Sequence, residues 1–319
     1  MNPLEIVRTD ATTARRELQD RVRTGLLIRL APGRYVDGDS WRRATARDRH
    51  LARIEAVHDR IAPHLVLSHL SAAAMHGLAC PVEFPDRVHV IDPRRAKAQT
   101  TRSLRKHAGA QRTLTTEVST MGRPITDLCS TGVDVALDEE LRLAVPVLDQ
   151  VRDRGISVQS LLHELERRGR VQNVGRAAGA IELADVGSGS PGESVGRVAL
   201  AEIGAPRPVL QHEFTDHSGF IARVDYWYPE YGVVLEFDGA VKYRDARFRR
   251  AGMSAADVVV EEKRREDRLR RVPAVNGVGR FGWPEVNDRG LLADVVRSAG
   301  LPLRPGAGAP PVGGRHHVR

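Results

Sequence analysis

The feature that most constrains this chain is a pair of β-prone runs that end in acids. Val233-Val234-Leu235 is an unbroken apolar run, and Glu236-Phe237-Asp238-Gly239 closes it with alternating acids and a turn dipeptide. Side chains on a strand alternate faces, so Glu236 and Asp238 point the same way. The preceding run, residues 220–228, carries Asp225 and ends at Pro229-Glu230. Antiparallel pairing about that turn brings Asp225 close to Glu236. With residues 211–214 as a further strand, the segment predicts a three-stranded meander behind a helix that starts near Glu193. Carboxylates gathered beside an apolar run repel one another and invite a divalent cation. Magnesium at such a place polarises phosphate and activates water. Lys242, just past the turn, is placed to orient water or stabilise developing charge. The same residues also read as a solvated strand end with an Asp-Gly turn.

The chain has 319 residues, enough for two domains with connecting helices. Its 49 Lys and Arg against 41 Asp and Glu give a net charge of +8. Arginine greatly outnumbers lysine, which suits a polyanionic partner and equally suits a genome rich in arginine codons. Cys80 and Cys129 stand far apart without a ligand motif, against a disulfide framework or a cysteine-held zinc and in keeping with a reducing cytoplasm. No stretch approaches the ~18 apolar residues of a membrane span, and residues 1–20 lack the apolar core of a signal peptide.

Residues 10–23 read as a helix capped by Asp10. Two short β-prone runs follow around Ala31-Pro32-Gly33. A helix followed by a basic hairpin is how a winged helix-turn-helix ends. Arg29 and Arg34 would then lie on the wing, facing phosphates, unless the hairpin is merely structural. Residues 43–61 predict a charged helix, 68–78 another ended by Gly77, and 87–91 a strand. His69 and His76 stand seven apart and could share a helix face. With no further ligands nearby, packing or capping roles suit them better than metal binding. Residues 125–148 and 158–168 carry helical patterning, so the middle of the chain reads as a mostly helical connector. Val186 to Gly192 is a Gly/Ser/Pro loop. Residues 254–272 predict a basic helix whose Arg264 and Arg268 could meet phosphates or lie on a solvated face laced with ion pairs. The tail from residue 302 is rich in Gly, Pro and Arg, and disorder is expected there.

Arg223-Val224-Asp225-Tyr226-Trp227-Tyr228-Pro229 followed by Val233 to Gly239 resembles the DUF559 family of Vsr-like endonuclease domains, within the PD-(D/E)XK nuclease group. Ser190-Pro191-Gly192-Glu193-Ser194 matches that family's helix start, and Lys242-Tyr243 its following element. The resemblance covers about the last third of the chain. It implies that Asp225 and Glu236 bind Mg2+, that Glu193 is a helix acid near the metal, and that Asp238 or Lys242 assists. Two departures stand against activity. Asp238 occupies the place where the wider group has lysine. Residues 272–280 hold a proline and glycines where an apolar strand is expected. Residues 25–36, 68–78 and 88–90 are more diffusely similar to AbiEi-like antitoxin N-terminal domains, winged-helix repressors of type IV toxin–antitoxin loci. That similarity implies DNA binding and a cognate toxin as partner.

The expected architecture is α+β. A winged helix-turn-helix spans residues 1–62, a helical AbiEi-like middle region 63–185, a restriction-endonuclease-like sheet flanked by helices 186–301, and a disordered tail 302–319. The expected function is Mg2+-dependent hydrolysis of DNA, or DNA-binding regulation without cleavage.

Overall fold

A computed structural model describes residues 4–9, 15–110, 112–169, 171–239 and 255–304. The chain divides into two compact units, Met1–Glu182 and Leu183–Arg319. Both mix helices with sheet.

The first unit opens with β1 (Val7–Arg8), α1 (Arg15–Arg23), β2 (Leu27–Ala31) and β3 (Arg34–Asp37), and the three strands form an antiparallel sheet in the order β1-β3-β2. Gly33 makes the hairpin turn at φ +67°, a conformation open to glycine without steric cost. The predicted single helix over 43–61 is instead two, α2 (Gly38–Arg43) and α3 (Ala46–Val57). Thr45 breaks it: its backbone is extended and its side chain caps α3 by accepting from the Asp48 amide.

The expectation of a mostly helical connector is corrected between residues 66 and 126. There a six-stranded sheet runs in the order β6-β7-β5-β4-β9-β8. Its strands are β4 (Val66–Leu67), β5 (Val88–Asp92), β6 (Gln99–Thr100), β7 (Leu104–Ala108), β8 (Thr116–Val118) and β9 (Pro124–Thr126), and α4 (His69–Met75) lies between the first two. Strands of two to five residues are too short to carry a readable alternation, and β6 and β8 are exposed throughout. Ile54 and Val57 of α3 pack with Leu67, Val88, Val90, Leu104 and Ile125 of this sheet. Helices α5 (Leu128–Asp138), α6 (Leu141–Asp153), α7 (Val158–Arg167) and α8 (Val174–Leu183) follow.

The second unit runs α9 (Pro191–Glu202), β10 (Val209–Asp216), β11 (Gly219–Tyr228), β12 (Val233–Asp238), α10 (Ala255–Arg270), β13 (Gly277–Gly282), α11 (Trp283–Asn287) and α12 (Arg289–Ser298). Its sheet order is β10-β11-β12-β13, antiparallel except for the parallel β12–β13 pair. Each face buries its own apolar cluster. On one, Val195, Ala199 and Leu200 of α9 and Leu292 and Val296 of α12 meet Tyr226, Leu235, Phe237 and Phe281. On the other, Leu269 of α10 meets Phe214, Val224, Trp227 and Val234.

The expected short or distorted edge after residue 272 is corrected. β13 pairs with β12 in unbroken register over six residues. Pro273 precedes the strand, where no ladder donor is needed. The glycines admit the C-terminal end of α12: a Cβ on Gly277 would lie 2.0 Å from the Ala299 carbonyl oxygen, and one on Gly279 3.1 Å from the Ala299 Cβ and 3.5 Å from a Val295 methyl. No helix among the described residues is long and apolar enough to cross a membrane.

Candidate functional site

The register between β11 and β12 pairs Tyr226 with Leu235 and ends there, one step short of Asp225 and Glu236. Beyond that step Asp225 takes over the pairing, its Oδ2 accepting from the Phe237 amide at 2.9 Å. On a regular strand Val224 and Tyr226 would share a face. Here they belong to the two opposite clusters, so the alternation slips at Asp225. Across from it in β10, between the Leu210–Tyr226 and His212–Val224 pairs, stands Gln211 at φ +51°. This left-handed conformation is uncommon for a residue with a side chain. The Gln211 Nε2 amide donates to Asp225 Oδ1 at 3.0 Å and to Glu193 Oε2 at 2.8 Å.

Glu193 reaches this junction from the first turn of α9. Ser190 caps that helix, and its hydroxyl donates to Glu193 Oε1 at 2.9 Å, while the Gly189 amide donates to Oε2 at 2.8 Å. Glu193 is buried, and Tyr226 fixes its backbone by donating from its hydroxyl to the Glu193 carbonyl at 2.6 Å. Glu193, Gln211 and Asp225 are thus one hydrogen-bonded set. Gln211 has no motif around it and was not singled out from sequence.

Glu236 has other company. It alternates with Phe237, which packs toward α9, so Glu236 lies on the α10 face. There Arg265 approaches its Oε1 at 3.2 Å and Arg280 its Oε2 at 3.3 Å. Asp238 is exposed at the strand end. The structure therefore brings Glu193 to Asp225 and gives Glu236 two guanidinium partners. Lys242 lies outside the described residues, as do Tyr243 and the tail beyond residue 304.

Among the expected phosphate contacts, Arg264 and Arg29 are exposed. Arg268 holds Asp216 with both a 2.7 Å and a 3.2 Å bond and thereby ties α10 to the β10–β11 hairpin. That bond holds the Asp216 carboxyl below the usual range. Arg34 pairs with Asp59 at 3.2 Å.

A second constellation lies in the first unit. His69 of α4, His89 of β5 and His107 of β7 each offer a ring nitrogen within 4.8 Å of the others, a group able to coordinate a metal ion. Strands β5 and β7 run parallel, with His89 opposite Arg105 and Ile91 opposite His107, which places the two imidazoles diagonally on one face. His107 Nε2 and His89 Nδ1 are 3.3 Å apart, and the His69 and His107 rings stack with centroids 3.5 Å apart. Burial, reinforced by neighbouring positive charge, pushes His89 down to about 3 and His107 to about 2, and takes His69 well below its ordinary value. All three are therefore neutral at physiological pH, the form that ligates metals. His76, by contrast, meets the Thr126 carbonyl oxygen at 2.8 Å and plays the packing part expected of it. The packing role expected of His69 is corrected, because its partners His89 and His107 lie far along the chain and come together on one face through parallel strand pairing beside α4.

No family model matches the chain. Two proteins of Mycobacterium tuberculosis, uncharacterized protein Rv2248 of strain H37Rv and uncharacterized protein MT2308 of strain CDC 1551, are each 26% identical over 265 residues, covering 79% of this chain and 92% of theirs. A crystal structure of the RV2827C protein from Mycobacterium tuberculosis aligns at 16% identity over 63% of this chain and 76% of that one, with a TM-score of 0.30. At these levels the function is read from the side chains.

Proposed function

We propose that the second unit is a PD-(D/E)XK-type, Vsr-like nuclease domain acting on DNA, carried behind an N-terminal winged-helix-like DNA-binding module. The observation that carries this reading is the junction itself. A helix acid, Glu193, and a strand acid, Asp225, converge through Gln211 where β11 and β12 stop pairing. The order α9-β10-β11-β12-α10-β13, with three antiparallel strands and a fourth parallel to the third, supports the same reading. So does the slip in alternation at Asp225, because strained backbone clusters at functional sites.

The donor set is carboxylate oxygen, which suits a hard cation such as Mg2+. Asp225 and Glu193 would hold it, whereas Glu236, turned to the α10 face between Arg265 and Arg280, stands outside that set. Such an ion, when bound, supplies Lewis-acid polarisation of phosphate and a more acidic water. The protein's own part is positional. Gln211 sets the spacing of Glu193 and Asp225, and the Phe237 amide fixes the Asp225 rotamer. The two arginines beside Glu236 offer charge to phosphate oxygens.

A second reading, a DNA-binding regulator of antitoxin type without cleavage, is favoured by a specific observation. Glu236 is already neutralised by Arg265 and Arg280, and an acid, Asp238, follows where the nuclease group has lysine. A plasmid-nicking assay with Mg2+ and Mn2+ separates the two. Nicking by the wild type that is lost in Asp225→Asn, with DNA affinity retained, supports hydrolysis at this junction. Undiminished nicking by Asp225→Asn removes the site. DNA binding without cutting in either metal leaves the regulator.

A further inference from the structure

We infer that the first unit carries a metal site of three imidazoles, His69, His89 and His107, for a borderline divalent cation of the Zn2+ class, with the buried carboxylate of Asp134 orienting His69. The donor set is all nitrogen and contains neither thiolate nor a directly grouped carboxylate. Imidazole donors select Zn2+, Co2+, Ni2+ or Cu2+ over Mg2+ and Ca2+, which prefer oxygen. The site is therefore chemically distinct from the acidic junction of the second unit, and the inference does not rest on nuclease activity.

Geometry assigns the ring atoms. Zinc–imidazole bonds of 2.0–2.1 Å in a tetrahedron set neighbouring nitrogens about 3.3–3.4 Å apart. His107 Nε2 and His89 Nδ1 already stand at 3.3 Å. His69 Nδ1 faces the Ser68 hydroxyl at 2.9 Å and Asp134 Oδ2 at 3.9 Å, so Nε2 is its nitrogen left for an ion. The stacked His69 and His107 rings must tilt apart for both nitrogens to aim at one point.

Asp134 supplies the independent observation. It is 1% exposed, and its Oδ2 has no hydrogen-bond partner. A buried carboxylate oxygen left unsatisfied is costly, and it faces the metal-distal nitrogen of a candidate ligand. Metal-bound histidines commonly donate their other N–H to a carboxylate, which fixes the tautomer. The other Asp134 oxygen is held by Arg112 at 2.6 Å and Arg168 at 3.2 Å, so the carboxylate cannot swing away. His69 itself adopts φ +51°, a strained start to α4 that turns its ring toward the two strands. The arginines near the rings are matched by acids: Arg105 with Asp138, Arg112 with Asp134, and Arg168 with Asp134 and Glu164. His69 and His89 are buried, whereas His107 is half-buried and opens the site to solvent. Three protein ligands leave a fourth position for water, and the ion would clamp α4 onto β5 and β7.

The test is titration of the full chain, stripped with a chelator, with Co2+ read by its visible spectrum and with Zn2+ read by elemental analysis. One ion per chain with the intense bands of four-coordinate Co2+ is expected. His107→Asn should abolish binding, and Asp134→Asn should weaken it about 10–100-fold. A control lacking the tail histidines, His316→Ala with His317→Ala, should bind as the wild type does. No stoichiometric ion in the wild type, or binding that survives His107→Asn but fails in the tail control, overturns the site. Should His107→Asn not fold, X-ray absorption of the Zn2+-loaded wild type decides. Scattering from three imidazoles supports the assignment, and sulfur or oxygen-only shells overturn it.

Discussion

Lowering the pH from 7 to 5 should cost the first unit stability through His50, by an amount that can be worked out. His50 is 1% exposed, and both ring nitrogens are engaged. Nδ1 lies 2.9 Å from the Pro85 carbonyl, which can only accept, so Nδ1 carries the proton. Nε2 lies 2.8 Å from Ser71 Oγ and accepts its hydroxyl proton, while that oxygen in turn accepts the His89 amide at 2.8 Å. Protonating Nε2 would force the Ser71 hydroxyl to stop donating to the ring and turn its proton elsewhere, and would charge a buried ring. Burial accordingly pushes His50 down from 6.5 to about 4. A folded pKa below the unfolded one means that the unfolded chain takes the proton first. The contribution is complete above pH 6.5, falls as the pH drops below it, and levels off near 4. At 1.36 kcal/mol per unit the whole span is about 3 kcal/mol, of which about 2 kcal/mol is lost between pH 7 and 5. The assay is urea unfolding across that range, wild type against His50→Gln, which keeps a donor and an acceptor but cannot titrate. The variant will be less stable at pH 7, and the gap should narrow by about 2 kcal/mol at pH 5. His69, His89 and His107 are also lowered, and Asp138 and Glu139 are raised by burial and act in the opposite sense, so the wild-type curve alone mixes several protons. The difference curve isolates one. Curves that stay parallel to within roughly 0.5 kcal/mol would refute the argument.

Gly196→Ala should destabilise the second unit by about 1–3 kcal/mol in thermal or urea unfolding, because the new Cβ would lie 2.6 Å from the Tyr226 hydroxyl that anchors Glu193. Nicking, where present, should fall with it. Cys80 and Cys129 are both pushed up to about 11 by burial, so alkylation by iodoacetamide at pH 8 should run about 100-fold slower than for an exposed thiol, and rapid labelling of the folded chain would contradict the packing. Arg280→Ala removes one of two cations from Glu236 but should leave Mn2+ affinity in calorimetry within about threefold of the wild type, whereas about tenfold tighter binding would mean that Glu236 is a ligand after all.

What the sequence made legible was local. The hairpin about Gly33, the loop before α9 and the meander that sets Asp225 beside β12 follow from turn residues and alternation within a few positions. Two things were out of reach for one physical reason, that pairing between distant segments leaves no periodic trace. The six-stranded sheet is built from strands as short as Val66–Leu67, and His89 and His107 share a face because β5 and β7 run parallel, with His69 brought to them by α4. The glycines of β13 misled in a different way. A missing side chain weakens a strand by propensity, yet here Ala299 occupies the space a Cβ would take. Arg265 and Arg280 were equally unreadable, since only the fold shows that their helix and strand flank Glu236.

The backbone joins the two candidate sites by a common logic. Among the described residues only His69, Asn173 and Gln211 hold positive φ without being glycine. Asn173 precedes α8 and satisfies the Leu137 carbonyl, a conformation asparagine takes readily. Histidine and glutamine have less excuse, and each such residue costs about 1–3 kcal/mol unless its surroundings over-determine it. In both cases the strained residue is the one that faces a buried or partly buried acid: Gln211 donates to Asp225 and Glu193, and His69 looks onto Asp134. Relaxing Gln211 would leave Asp225 Oδ1 short of a donor, and relaxing His69 would move its Nδ1 away from the unpartnered Asp134 Oδ2. The strain therefore persists where the chain gathers groups that a bound cation would satisfy, with oxygen donors in one unit and nitrogen donors in the other.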